Sequence, residues 1–270
     1  MKKLSLFILL WAATGVTLAQ NRETRNVNSF TKLSFRVPGK LYLKQGSPQK
    51  VELEGPNDVL KEIETRVEGG KLVIGKEGRW MNWGWGDKDR IIAYVTVTNI
   101  EGISVSGSGD LIGQGNITSA NLDLNVSGSG SLQIEASASG KIGANVSGSG
   151  DLTLKGSCSN LESDVSGSGG VMLTIAVQEL ADFGISGSGK IKAEGSAREV
   201  KTRISGSGKI LAANLEAEKC NIRISGSGDV EVNVKSDLDA VISGSGSVTY
   251  KGNPSHINSH SSGSGSVRKM

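Results

Sequence analysis

The chain has 270 residues, enough to bury a core in one or two domains. Its 30 basic and 27 acidic residues nearly cancel and no basic block or arm stands out, which excludes nucleic acid as an expected partner. Glycine, at 38 residues, exceeds its ordinary share and aromatics are few, so the fold must have a use for glycine.

The N-terminus, MKKLSLFILLWAATGVTLAQ, places Lys2 and Lys3 before an apolar run from Leu4 to about Ala13. Thr17-Leu18-Ala19 follows as a small-residue cleavage site. This pattern predicts a secretory signal peptide over 1–19. The alternative is an uncleaved anchor helix, against which stand the shortness of the run and its small-residue end. No Cys follows the site, so bacterial lipid attachment there is not indicated, and no second apolar run is long enough to span a membrane. The mature chain is expected to be exported, to the periplasm, the outer surface or the extracellular space.

Residues 20–100 read as less regular β structure and a cap within the same domain. Leu33, Phe35 and Val37 alternate, as do Leu41 and Leu43, and Val51 and Leu53. Val59–Thr65 could form one short helical turn. Glu68-Gly69-Gly70-Lys71 predicts a hairpin before Leu72-Val73-Ile74. Between these strands and Ile91, Ala93, Val95 and Val97 lies a glycine-rich insertion carrying Trp80, Trp83 and Trp85. Sugars stack their C–H faces on indoles, so these three are the candidate ligand-binding residues. The competing reading is that the rings plug the N-terminal end of the fold.

From 101 to 270 a motif dominates. Ser-Gly-Ser-Gly begins at Ser106, Ser127, Ser147, Ser166, Ser186, Ser205, Ser225, Ser243 and Ser262, with spacings of 18 to 21. A flexible linker keeps no such period; a stacked architecture does. Alternation passes through the motif unbroken, as in Leu122, Leu124, Val126, Gly128, Gly130, Leu132, Ile134, and a period of two means strand. The glycines are therefore expected on the inward face, where the interior is too narrow for a side chain, with the serines facing water. Aliphatic columns recur five residues before each motif (Leu122, Ile142, Leu161) and five after its first Ser (Leu111, Leu132, Leu152). The prediction is an all-β chain, a parallel β-helix of ~20-residue coils, right-handed by the usual chirality of parallel crossovers. Stacked about 4.8 Å apart, the coils would make a rod on the order of 40 Å long.

The opposite turn is expected near Gly115, Gly156, Gly195, Asn214 and Gly252, all tolerant of positive φ. All four prolines lie outside Ile100–Lys251, as strands bonded on both sides require. Cys220 falls in an apolar column and Cys158 on a turn about 14 Å away along the axis, too far to bridge, so both are expected as free thiols. The C-terminus shows no obvious cap. Arg268 and Lys269 could blunt its edge, and end-to-end self-association is the competing reading.

One resemblance is specific. The opening VNSFTKLSFRVPGKLYLKQGSPQKVELEGPNDVLKEIETRVEGGKLVI, the SGSG coils and the late VTYKGNP resemble the bacterial putative auto-transporter adhesin, head GIN domain family, common in Bacteroidetes. The likeness covers nearly the whole mature chain. It implies a β-helix and an adhesive role, with no catalytic or ligand residues to carry over.

The residues themselves suggest no enzyme. The column two before each motif carries stacked Asn and Arg pairs but no carboxylate pair, so no catalytic residues are assigned. GSGD recurs only at Asp110, Asp151 and Asp229, a weak match to calcium-binding repeats. His256 and His260 lack the further ligands a metal site needs, so neither a metal nor a cofactor is expected. The function expected is an exported, non-enzymatic adhesin or binding module of the cell envelope, with a surface glycan or protein as partner. The alternative is a periplasmic structural or envelope-stress protein without a specific ligand.

Overall fold

The structure is a computed structural model that describes residues 21–76 and 90–270. Residues 1–19, where the sequence predicts a signal peptide, and the three tryptophans lie outside the described residues. The rest is a parallel β-helix whose coils each contribute one strand before the SGSG corner and one after it. The strands that precede the corner are β8 (Gly102–Gly107), β10 (Leu122–Gly128) and β12 (Lys141–Gly148). Those that follow it are β9 (Asp110–Ser119) and β11 (Ser131–Ala138). From there each strand runs from one SGSG corner to the next: β13 (Asp151–Gly167), β14 (Gly170–Gly187), β15 (Lys190–Gly206), β16 (Lys209–Gly226) and β17 (Asp229–Gly244). The rod ends in β18 (Ser247–Lys251), β19 (His256–Ser262) and β20 (Ser266–Lys269).

Every pairing in this stack is parallel, and the motif serines stand directly over one another, Ser127 on Ser106 and Ser147 and so on to Ser262. Both aliphatic columns read from the sequence are in register, and their residues are buried except at the last coil.

The two motif glycines have different jobs, which refines the inward-face expectation. The first, such as Gly187, is half-buried and sits at φ +120, in the region that favours glycine. A Cβ there would stand 2.7 Å from the carbonyl oxygen of Gly167 one coil below. Only the second faces the interior: a Cβ on Gly189 would meet Val165 Cγ1 at 2.4 Å. The motif thus turns the chain with one glycine and clears the core with the other.

On the opposite side Gly156, Gly195 and Gly252 have positive φ, but Asn214 does not. Asn214 pairs with Glu194, and Leu215 is the residue that faces Gly195. Cys158 also departs from expectation. It is buried in the core rather than on a turn, because the register shifts between Cys158 and Asn160 and restores inward parity at Leu161. Both thiols are free, and burial pushes Cys158 up to about 11 and Cys220 to about 12.

The interior also solves a size problem. The ring of Phe183 is fully buried, and its register neighbours are Ser163 and Thr202, the small residues that leave it room. The Ser163 hydroxyl donates to the Ala144 carbonyl at 2.9 Å; the Thr202 hydroxyl is buried without a partner.

The N-terminal coils do not stack in chain order. Strands β2 (Lys32–Phe35) and β3 (Gly39–Gln45) lie directly against β8 and β9. Strands β6 (Lys71–Lys76) and β7 (Ile91–Val97) pack on the far side of that rung. The chain then crosses back past it to begin β8. Antiparallel strands cover the outer edge: β5 (Ile63–Glu68) lies on β6, β4 (Lys50–Gly55) on β7, and β1 (Asn21–Thr24) on β4. Such reversal ends the parallel ladder and protects its backbone groups. The turn of helix lies at Asn57–Glu62, two residues earlier than the sequence suggested, and Ile63 already belongs to β5. Gly69 and Gly70 both have positive φ, as a two-residue hairpin with native twist demands.

The other end becomes more polar. In the last coil, Ser259 stands over Ala240 and Ser261 over Ile242, so the apolar column stops in hydroxyls. All of β19 is exposed, with Ile257 at 49%. A polar terminal repeat is how stacked folds limit exposed apolar surface.

Candidate functional site

Two outward rows run along the face formed by the strands before the corner. One row stands two residues before each motif and the other four before. Because the rows are two residues apart on a strand, both point to solvent. Asp164, Gly184, Arg203, Arg223 and Val241 follow one another in register along the first row. Glu162 and Asp182 occupy the second row beside them.

The first row, from Asp164 to Val241, borders an open groove of about 520 Å³, walled on its other side by motif serines from Ser166 to Ser225. Gly184 makes the groove possible: a Cβ there would lie 1.9 Å from Oδ1 of Asp164. The missing side chain lets the Asp164 carboxylate lie over the strand. Burial, and then the neighbouring Glu162 carboxylate, push the Asp164 carboxyl above its usual range. Among the described residues Asp164 makes neither a hydrogen bond nor an ion pair.

The basic side of the groove is divided. Arg203 Nη1 donates to Oδ2 of Asp182 at 3.0 Å, whereas Oδ1 of Asp182 is buried without a partner. Arg223 stacks on Arg203 in register, is exposed, and has no carboxylate partner among the described residues. Their backbones are one strand spacing apart, so both guanidinium groups belong to the same end of the groove. An anion placed there would meet the unpaired Arg223 first, because Arg203 is already paired with Asp182. The groove therefore offers an acceptor at one end, donors at the other, and hydroxyls along its side.

Other sequence candidates are placed as follows. Trp80, Trp83 and Trp85 lie outside the described residues. Asp110 accepts from the Ser131 hydroxyl at 2.6 Å, and Asp229 accepts from Ser247 at 2.6 Å and pairs with Lys209 at 2.9 Å. The Ser247 hydrogen bond, followed by that from Lys209, holds the Asp229 carboxyl below its usual range. His256 faces Asp237 at 3.4 Å, and His260 stands over Val241. No group of three or more His, Cys, Asp or Glu among the described residues is placed to hold a metal. The charges of a second hollow, near the C-terminal end, are largely paired, with Lys219 and His256 both facing Asp237.

Reading single columns missed the convergence of Glu162, Asp164 and Asp182. The signal lay in the combination of two outward rows, where Glu162 and Asp164 flank Ser163 on one strand and Asp182 stacks on Glu162.

Comparison with known proteins agrees with this architecture. The crystal structure of a putative lipid binding protein from Parabacteroides distasonis aligns with a TM-score of 0.70 at 23% identity, covering 93% of this chain and 97% of that one. A putative adhesin from Parabacteroides merdae aligns with a TM-score of 0.71 at 19% identity, covering 93% and 96%. Another putative adhesin from P. distasonis gives 0.68 at 21%, covering 93% and 97%. At these identities the likeness speaks for the fold alone. No curated protein matches the chain. The family model described as "Putative auto-transporter adhesin, head GIN domain" matches residues 29–174 and 165–254, most of the sequence. With its SGSG corners and parallel coils, the chain belongs to the head GIN domain family of adhesin-like proteins.

Proposed function

We propose that the chain is an exported, non-enzymatic binding module that acts as an adhesin at the cell envelope. The observation that carries this reading is the rod itself. Its in-register coils align outward rows along the axis, so an extended ligand can be held across several coils. A stacked fold with long surface rows suits extended ligands better than it suits a single reacting bond. Membership of an adhesin-like family supports the same role. The partner is a surface glycan or protein, and Trp80, Trp83 and Trp85 supply stacking surfaces for it.

The test is retention of the purified mature chain on immobilised glycans and on whole cells. Trp83→Ala and Trp85→Ala should abolish retention without changing the melting temperature. A loss of several kcal/mol in stability, as truncating buried aromatics produces, would assign the rings to the core instead. Failure of the unaltered chain to bind any surface would favour a structural role in the periplasm.

A further inference from the structure

The groove between Asp164 and Val241 is a better-formed site than the proposed function requires, and its chemistry narrows the ligand. Three features coincide there. Asp164 is a half-buried carboxylate with no hydrogen-bond partner among the described residues. Arg223 is a guanidinium with no carboxylate partner among the described residues. Gly184 and Arg203 separate the two, so they stand three coils apart, about 14 Å along the axis, and cannot satisfy one another. Neither charge has a salt-bridge partner among the described residues, yet both stand in one groove, with the backbone cleared beside Asp164 by Gly184.

We infer that this groove binds a linear anionic glycan lying along the rod axis, with Asp164 accepting hydrogen bonds from sugar hydroxyls and Arg223, beside Arg203, taking a carboxylate or sulfate group. The guanidinium fork suits either oxyanion bidentately. The motif hydroxyls along the wall repeat every coil, about 4.8 Å, a period fit for a polymer of regular units. The second hollow lacks this character, because Lys219 and His256 already face Asp237.

The inference rests on the binding role proposed above but fails separately from it. Binding by the purified chain does not depend on where the cell places the protein or on the tryptophans. The experiment compares polygalacturonate, dextran sulfate and neutral galactan by titration with the mature chain at moderate salt. At least one polyanion should bind, galactan should not, and the preference between the two identifies carboxylate or sulfate as the recognised group. Arg223→Glu, whose side chain has no partner to lose, should keep the unaltered melting temperature and weaken binding at least tenfold. Asp164→Asn should also weaken it, because one of two charged acceptor oxygens becomes an amide donor. Gly184→Ser, which drives a Cβ into the carboxylate, should do the same. The inference is overturned if neither polyanion binds, if galactan binds as well, or if Arg223→Glu changes affinity less than twofold. It is equally overturned if Asp164→Asn tightens binding, since a surface held only by net positive charge would gain from losing a carboxylate.

Discussion

Replacing Gly187 by alanine tests the structural meaning of the motif more sharply than any change in the core. The glycine sits at φ +120, and forcing an L-residue into such a region costs about 1–3 kcal/mol. The new Cβ would also stand 2.7 Å from the Gly167 carbonyl oxygen, which is backbone and cannot swing aside. Relieving that overlap means separating two coils at a hydrogen-bonded corner, where Ser188 N donates to the same carbonyl at 2.9 Å. Overpacking of this kind costs about 1–3 kcal/mol more. The sum is roughly 2–6 kcal/mol, or about 4–24 °C in melting temperature for a chain of this size. Ser188, one residue on, is exposed, and Ser188→Ala should stay within about 0.5 kcal/mol. Thermal and urea unfolding followed by far-UV circular dichroism would measure both variants. Equal stability of Gly187→Ala and Ser188→Ala would refute the account of the corner.

Further expectations follow from single environments. Thr202→Val keeps the shape beside Phe183 and removes a buried hydroxyl without a partner, so it should stabilise by about 1 kcal/mol in the same unfolding assay. Cys158 and Cys220 should resist a thiol reagent at pH 8 in the native state and react once denatured, because burial raises both thiols. Since the folded Cys220 keeps its proton up to about 12 against an ordinary 9.0, the unfolded chain ionises first. Its contribution to stability should therefore fall as pH rises from 9 towards 12, measured against Cys220→Val. Ser259→Val with Ser261→Val extends the apolar column to the exposed last coil and should drive self-association, visible by light scattering.

The sequence reveals the coils because alternation survives the motif: Val126, Gly128, Gly130 and Leu132 keep one parity across the corner, and stacked columns follow from that parity alone. The misplacement of Cys158 arises where parity is reset, since a register shift between Cys158 and Asn160 leaves no mark on a periodic pattern. The order of the N-terminal rungs was equally hidden. Strand content is local, but the stacking of β6–β7 outside β2–β3 depends on pairings between distant residues. The polar last coil was missed, although Ser259 and Ser261 interrupt a column that is Ala240 and Ile242 one coil earlier. The groove was only half legible. Its stacked arginines showed in one column, whereas the carboxylates joined them from the neighbouring row and Gly184 mattered for the side chain it lacks.

The most direct test of the functional account is protease shaving of intact cells that produce the native protein, with a known periplasmic protein as the leakage control. An adhesin at the envelope should be cut or labelled while the control stays protected. Protection of the chain until the outer membrane is opened would contradict the adhesive role and leave a periplasmic one.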